Sequence, residues 1–432
     1  MNTYAIKGNI CYSVDKDRLS VAQSSYAVCE DGICAGVYET LPEEYRDVTC
    51  YDYGDKLIIP GLVDLHVHAP QYPFRGLGMD LELIDWLNAH TFVEEAKYKD
   101  MDYADKAYDI FTEDLVKSAT TRACIFGTIH NEATLLLMKK LEEAGMIAYV
   151  GKVNMDRNSP EYLCEESDEK AAQDTEKWIE KCGQFKRVKP ILTPRFTPSC
   201  TDALMERLSK LQKKYKLPMQ SHMSENFGEI AWVQELCPNT SFYGEAYAQF
   251  DMFGGDCPTI MAHCVHSGEE EIELMKKNQV FVAHCPESNT NLSSGIAPVR
   301  KYLEEGIKMG LGSDVAAGSD LSMFKAMALT VQCSKLRWRL VDQTLTPLSV
   351  QEAFYLATKG GGEFFGKVGS FEPGYEFDAV VVDDADIRCP RKLSIKERLE
   401  RIIYLGEKNQ VVAKYVGGQK IFERYAGGNK NE

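Results

Sequence analysis

The segment Pro60-Gly61-Leu62-Val63-Asp64-Leu65-His66-Val67-His68 carries two imidazoles two residues apart in an apolar, β-branched run. Side chains two apart on a β-strand share one face. His66 and His68 therefore point the same way from the end of a strand, and a pair so placed can chelate one metal ion. An H-x-H pair alone is compatible with many metal proteins, but four further segments add to it. His222 ends the apolar run in Gln220-Ser221-His222, His263 that in Met261-Ala262-His263, His284 that in Val282-Ala283-His284 and Asp314 that in Gly310-Leu311-Gly312-Ser313-Asp314. The chain has only 8 histidines, and five of them stand at such ends. Scattered core histidines would not be distributed in this way.

A catalytic metal site keeps one coordination position open for water, and the ion lowers the pKa of that water towards neutrality. His66, His68, His222 and Asp314 are the expected ligands, with His263 close enough to orient the water or to ligate weakly. His284 is expected to support the ligands from behind. Nitrogen and oxygen donors without thiolate suit a single Zn²⁺ ion, with iron(II) or manganese as alternatives. Glu225, three residues after His222, offers a carboxyl beside the metal but not on it. A hydrolytic deaminase needs such a group to protonate a ring nitrogen while hydroxide attacks the adjacent carbon. The competing reading makes Glu225 a cap for the following helix, together with Asn226. Asp314 has a second expected duty, taking a proton from the water and passing it to the leaving amine.

Eight apolar runs position these groups: 57–68, 121–129, 146–153, 188–196, 219–224, 259–265, 280–285 and 309–314. Segments with helical periodicity lie between most of them, Leu135-Leu136-Leu137-Met138-Lys139-Lys140-Leu141 among them. The alternation predicts an α/β protein with a (β/α)₈ barrel, whose sites form at the C-terminal ends of the strands. A doubly wound sheet would instead place a glycine-rich phosphate turn after the first strand, where this chain has His-Val-His. The β-rich ends of the chain are each too short for a core of their own. They are expected to pair into a small β-sandwich domain, residues 1–60 plus 366–432, around a catalytic barrel at 61–365. Residues 71–100 form a long excursion after the first strand, either a lid or a helical insertion packed on the rim.

A net charge of −16 disfavours nucleic acid and anionic membranes as partners and leaves a small neutral molecule unaffected. No apolar run approaches the roughly 20 residues of a membrane span, and Met1 to Tyr12 lack a secretory signal pattern. None of the 14 cysteines forms C-x-x-C, and several lie in apolar runs, so a reducing cytoplasm is expected.

The order H-x-H, His, His, Asp on successive strands resembles the mononuclear deaminase branch of the amidohydrolase superfamily. The resemblance spans nearly the whole chain and includes Val368-Gly369-Ser370-Phe371-Glu372-Pro373-Gly374. Binuclear members carry a carboxylated lysine at the end of the fourth strand; Lys189 stands at its beginning. Three finer motifs, His68-Ala69-Pro70-Gln71, Arg195-Phe196 and Ser221-His222-Met223-Ser224-Glu225-Asn226, resemble the guanine deaminase family. That resemblance implies hydrolysis of a small purine, guanine, to xanthine and ammonia, in a subunit that is often part of a homodimer. It also implies that Gln71, Arg195, Phe196 and Glu225 bind the substrate. Arginine is a fixed donor fork for a carbonyl, glutamine is both donor and acceptor, and Phe196 can stack on the ring. Trp86 and Phe92 in the excursion are read as core. Deaminases of other amino-substituted purines or triazines, such as 8-oxoguanine or adenosine derivatives, would share the metal residues. A non-catalytic scaffold should have lost some of them. The other zinc deaminase class needs P-C-x-x-C, which does not occur here.

Overall fold

The computed structural model describes residues 3–406 and 408–424. The chain opens with β1 (Thr3–Asp15), β2 (Arg18–Glu30) and β3 (Ile33–Tyr38), paired antiparallel in sequence, followed by β4 (Thr49–Pro60) parallel to β1. Asp31 and Gly32 close the second hairpin at φ 47° and 87°, as a two-residue hairpin loop requires. The chain then passes through Gly61 into β5 (Leu62–His68). A Cβ on Gly61 would lie 2.0 Å from Thr121 Oγ1, so only glycine lets the chain pass so close to the next strand. The first apolar run, 57–68, is therefore not one strand. Pro60-Gly61 divides it between two sheets.

The middle of the chain supplies β6 (Thr120–Phe126), β7 (Ile147–Gly151), β8 (Val153–Asn154), β9 (Val188–Pro190), β10 (Thr193–Pro194), β11 (Met219–Met223), β12 (Thr259–His263), β13 (Phe281–His284) and β14 (Met309–Leu311). All eight apolar runs contain a strand. The run 188–196 appears as two fragments because Pro190 and Pro194 have no N–H to continue a ladder. Helices such as Met101–Lys117, Asn131–Glu143, Asp168–Cys182 and Asp202–Tyr215 alternate with the strands. Two parallel four-stranded sheets result, β5-β6-β7-β9 and β11-β12-β13-β14. Backbone hydrogen bonds link them on both sides. Leu192 N donates to Pro218 O and Gln220 N donates to Leu192 O, each at 2.9 Å, while Asp314 N donates to His66 O at 2.8 Å and His68 N to Val315 O at 3.1 Å. This mixed α/β arrangement is consistent with a TIM-barrel-like domain.

The chain returns to the first sheet as β15 (Ala379–Val382), β16 (Val411–Val416) and β17 (Gln419–Glu423), giving the order β17-β16-β15-β4-β1-β2-β3. All seven strands share one continuous sheet. Ile6, Ile58, Phe377 and Tyr415 are buried together against it. Residues 1–2, 407 and 425–432 of the expected small domain lie outside the described residues. Arg122 of β6 forms a buried bidentate pair with Asp378, at 2.6 and 3.0 Å. Lys414 of β16 donates to Leu115 O and Thr120 O. Both cross-links fix the terminal sheet to the strands of the middle region.

The excursion after β5 consists of short helical turns, Leu83–Trp86, Leu87–Thr91 and Phe92–Ala96, which bury Leu83, Trp86, Leu87 and Phe92. No described helix is long and apolar enough to cross a membrane.

Candidate active site

The ends of β5, β11 and β12 and the loop after β14 bring His66, His68, His222, His263 and Asp314 together. His68 Nε2 lies 3.2 Å from His66 Nε2 and 3.3 Å from His222 Nε2. Asp314 Oδ1 lies 3.2 Å from His66 Nε2 and 3.5 Å from His68 Nε2. Tetrahedral coordination with bonds of about 2.0–2.1 Å puts donor atoms roughly 3.3 Å apart, so this donor set fits a single divalent ion. Burial holds the pKa values of His66, His68 and His222 below that of ordinary histidine, which keeps the imidazoles neutral as ligands must be. His222 donates its Nδ1–H to Arg195 O at 2.6 Å, leaving the Nε2 lone pair to face the cluster. For Asp314, burial works upwards, but the neighbouring His66 and His263 hold its carboxyl down at about 2. Lys189, by contrast, is exposed at the start of β9.

Asp64 ties the first strand to the segment after β14. Its Oδ1 accepts from His66 N at 3.1 Å and Ser313 N at 3.0 Å, and burial pushes its carboxyl up to about 7. Ser224, His263 and Asp314 all have left-handed backbones, with φ 50°, 73° and 46°. Such strain in non-glycine residues costs on the order of 1–3 kcal/mol each and clusters at functional sites.

His263 is held by Asn289, whose Oδ1 accepts from Nδ1 at 2.9 Å. Its Nε2 faces Glu225 Oε2 at 3.4 Å and Asp314 Oδ2 at 3.7 Å. Burial works to lower its pKa, but the Glu225 and Asp314 carboxylates raise it overall. Glu225 is not the helix cap. Asn226 accepts from Gly228 N at 2.8 Å, and Glu229 completes a capping box. Glu225 instead accepts from Ser294 Oγ at 3.2 Å, and burial pushes its carboxyl up to about 7 against the opposing pull of His263.

His284, expected behind the ligands, is buried at the end of β13. Both of its ring nitrogens are buried without a hydrogen-bond partner among the described residues, and burial lowers its pKa to about 3. It ends a strand as the ligands do, but the group that holds an imidazole here is Asn289.

A partly enclosed cavity opens onto this cluster. Gln71, Arg195, Phe196 and Glu225 all line it, together with His68, His222, His263 and Asp314. Leu83, Trp86 and Leu87 of the excursion add to its apolar wall, with Leu292 and Ala317. The spacing of three and four residues within the excursion is the stripe of one helical face, a signal that reads equally well as core. Phe92 lies 5.3 Å from the Arg195 guanidinium. Asn289, Ser294 and Glu95 also contact the site, and no local motif distinguishes them.

The chain belongs to the amidohydrolase family, whose model matches residues 57–421. Its relatives there include guanine deaminases. It is 37% identical to that of Dictyostelium discoideum over 96% of this chain and 97% of the relative. To the Mus musculus enzyme it is 38% identical, over 88% of this chain and 85% of the relative. Among solved structures, guanine deaminase from C. acetobutylicum with guanine bound in its active site is similar at a TM-score of 0.95 and 49% identity, over 98% of this chain and 100% of the other.

Proposed function

We propose that this chain is a guanine deaminase, converting guanine and water to xanthine and ammonia. The observation that carries this reading is the cavity that Arg195, Gln71 and Phe196 line together with His68, His222 and Asp314, with His66 Nε2 3.2 Å from both His68 Nε2 and Asp314 Oδ1. Those four residues would hold one divalent ion, with Zn²⁺ the best match and iron(II) the alternative. The ion would supply Lewis acidity that makes hydroxide available at neutral pH.

Arg195 and Gln71 hydrogen-bond the purine edge, and Phe196 packs against the ring. Glu225 delivers a proton to the ring nitrogen next to the amine-bearing carbon as water adds to that carbon. His263, held by Asn289 and facing both carboxylates, orients the water. Asp314 accepts one proton of the water and passes it to the amine, which leaves as ammonia, while Glu225 recovers its proton from the added hydroxyl as the new carbonyl forms. Titratable groups in unequal environments divide proton work in this way.

Residues 61–365 read as a closed (β/α)₈ barrel, supported by the hydrogen bonds that join its two sheets on both sides. Residues 1–60 and 366–432 read as the accompanying β-sandwich domain. A homodimer in the cytoplasm completes the proposal, and 14 free thiols suit that compartment.

The test is ammonia release from guanine, isoguanine, 8-oxoguanine, adenosine derivatives and ammeline by zinc-loaded protein. Guanine should have the highest kcat/KM. Silence on guanine with turnover of another ring would overturn the substrate, and inertness on all of them the enzyme.

A further inference from the structure

We infer that Glu95 is a positioning residue that sets the hydrogen-bonding polarity of the purine pocket; the inference rests on the deaminase reading above. Glu95 lies in the helix Phe92–Ala96 and is 1% exposed. Its Oε1 accepts from Gln71 Nε2 at 2.9 Å, and its Oε2 accepts from Arg195 Nη1 at 2.6 Å. Two substrate-facing side chains from distant parts of the chain thus share one buried anchor.

The consequence for Gln71 is directional. Its Oε1 accepts from Ala316 N at 3.2 Å. A carboxamide placed between a carboxylate and an N–H has one favourable orientation, because a flip would set oxygen against oxygen and N–H against N–H. Glu95 therefore fixes which end of Gln71 is the donor and leaves its second N–H for a ligand. Arg195 commits Nη1 to Glu95 and lies by the Phe92 ring, which leaves the remaining N–H groups of its fork. Both arms offer donors. A ring edge with a carbonyl oxygen and an acceptor nitrogen complements them, whereas an exocyclic amine at the carbonyl position sets N–H against N–H.

The same carboxylate neutralises the buried guanidinium, so truncation to alanine would leave an uncompensated charge. E95Q keeps the volume but offers one acceptor where two donors need one each. E95D keeps the charge and withdraws it by one methylene.

The experiment compares steady-state kinetics of wild type, E95Q and E95D on guanine and on 2,6-diaminopurine, in which an amine replaces the carbonyl. Metal content and thermal melting serve as folding controls. Both variants should raise KM for guanine roughly 10- to 100-fold, with a smaller change in kcat and a narrowed preference for guanine over the diamine. If E95Q fails to fold, E95D carries the test. Wild-type KM and preference in the folded variants would overturn the inference alone, as would a loss confined to kcat. Wild-type protein that releases no ammonia from guanine would overturn the deaminase reading and this inference with it.

Discussion

Arg195 accepts the Nδ1–H of His222 on its backbone carbonyl at 2.6 Å, while its side chain faces the cavity. One residue thus fixes the tautomer of a proposed metal ligand with its main chain and meets the substrate with its side chain. The two duties are separable by mutation. R195K retains the carbonyl and the charge but loses the planar fork. It should raise KM for guanine about 10- to 100-fold, the worth of one or two charged hydrogen bonds, and leave metal stoichiometry unchanged. Steady-state kinetics alongside elemental analysis would check this. Loss of metal in R195K would mean that the side chain, not the carbonyl, holds His222.

Glu225 is assigned to proton transfer, not to metal binding or helix capping. E225Q keeps the shape of the carboxyl and removes its titration. It should lower kcat about 10²- to 10⁴-fold, the usual range for a general acid or base, with metal content and melting temperature near wild type. A variant that keeps kcat would reassign Glu225 to structure.

The ligand set predicts coupled loss of metal, activity and stability. Chelation should abolish deamination and lower the melting temperature, because an ion that binds only the folded state stabilises it. Added Zn²⁺ should restore both in wild type. In H68A it should restore neither fully, as read by activity and calorimetry. Full activity after exhaustive chelation would contradict the metal assignment.

The Arg122–Asp378 pair predicts a stability effect remote from the chemistry. Both partners are buried, and Asp378 Oδ1 also accepts from Gly417 N at 2.6 Å. D378A leaves the buried guanidinium with only the partly exposed Glu376, 2.8 Å from Nη2, which should cost about 2–3 kcal/mol. Urea unfolding would measure it. KM for guanine in the folded fraction should be unchanged, since neither partner lines the cavity.

The groups that strand position can place were legible in the sequence. His66, His68, His222, His263 and Asp314 were visible because alternation and strand ends are local patterns, and the structure gathers all five. His284 follows the same local pattern and stands apart, since strand position alone does not tell which ring meets a partner. Glu95, Asn289 and Ser294 lie 24, 26 and 69 residues from the side chains they hold. Only the folded chain sets such pairings, so no spacing rule reaches them. The same limit applies to the ends of the chain. That they pair was expected from their composition and size, but the particular partners, β4 against β15, could not be read.

The most direct test of the account is a crystal structure of the zinc-loaded E225Q protein with guanine, with anomalous data collected at the zinc edge. The account predicts one anomalous peak per subunit, bound by Nε2 of His66, His68 and His222 and a carboxylate oxygen of Asp314. The purine should lie in the same cavity, with its carbonyl hydrogen-bonded to Arg195. Two metal peaks, a peak away from these residues, or a purine with no contact to Arg195 would contradict it.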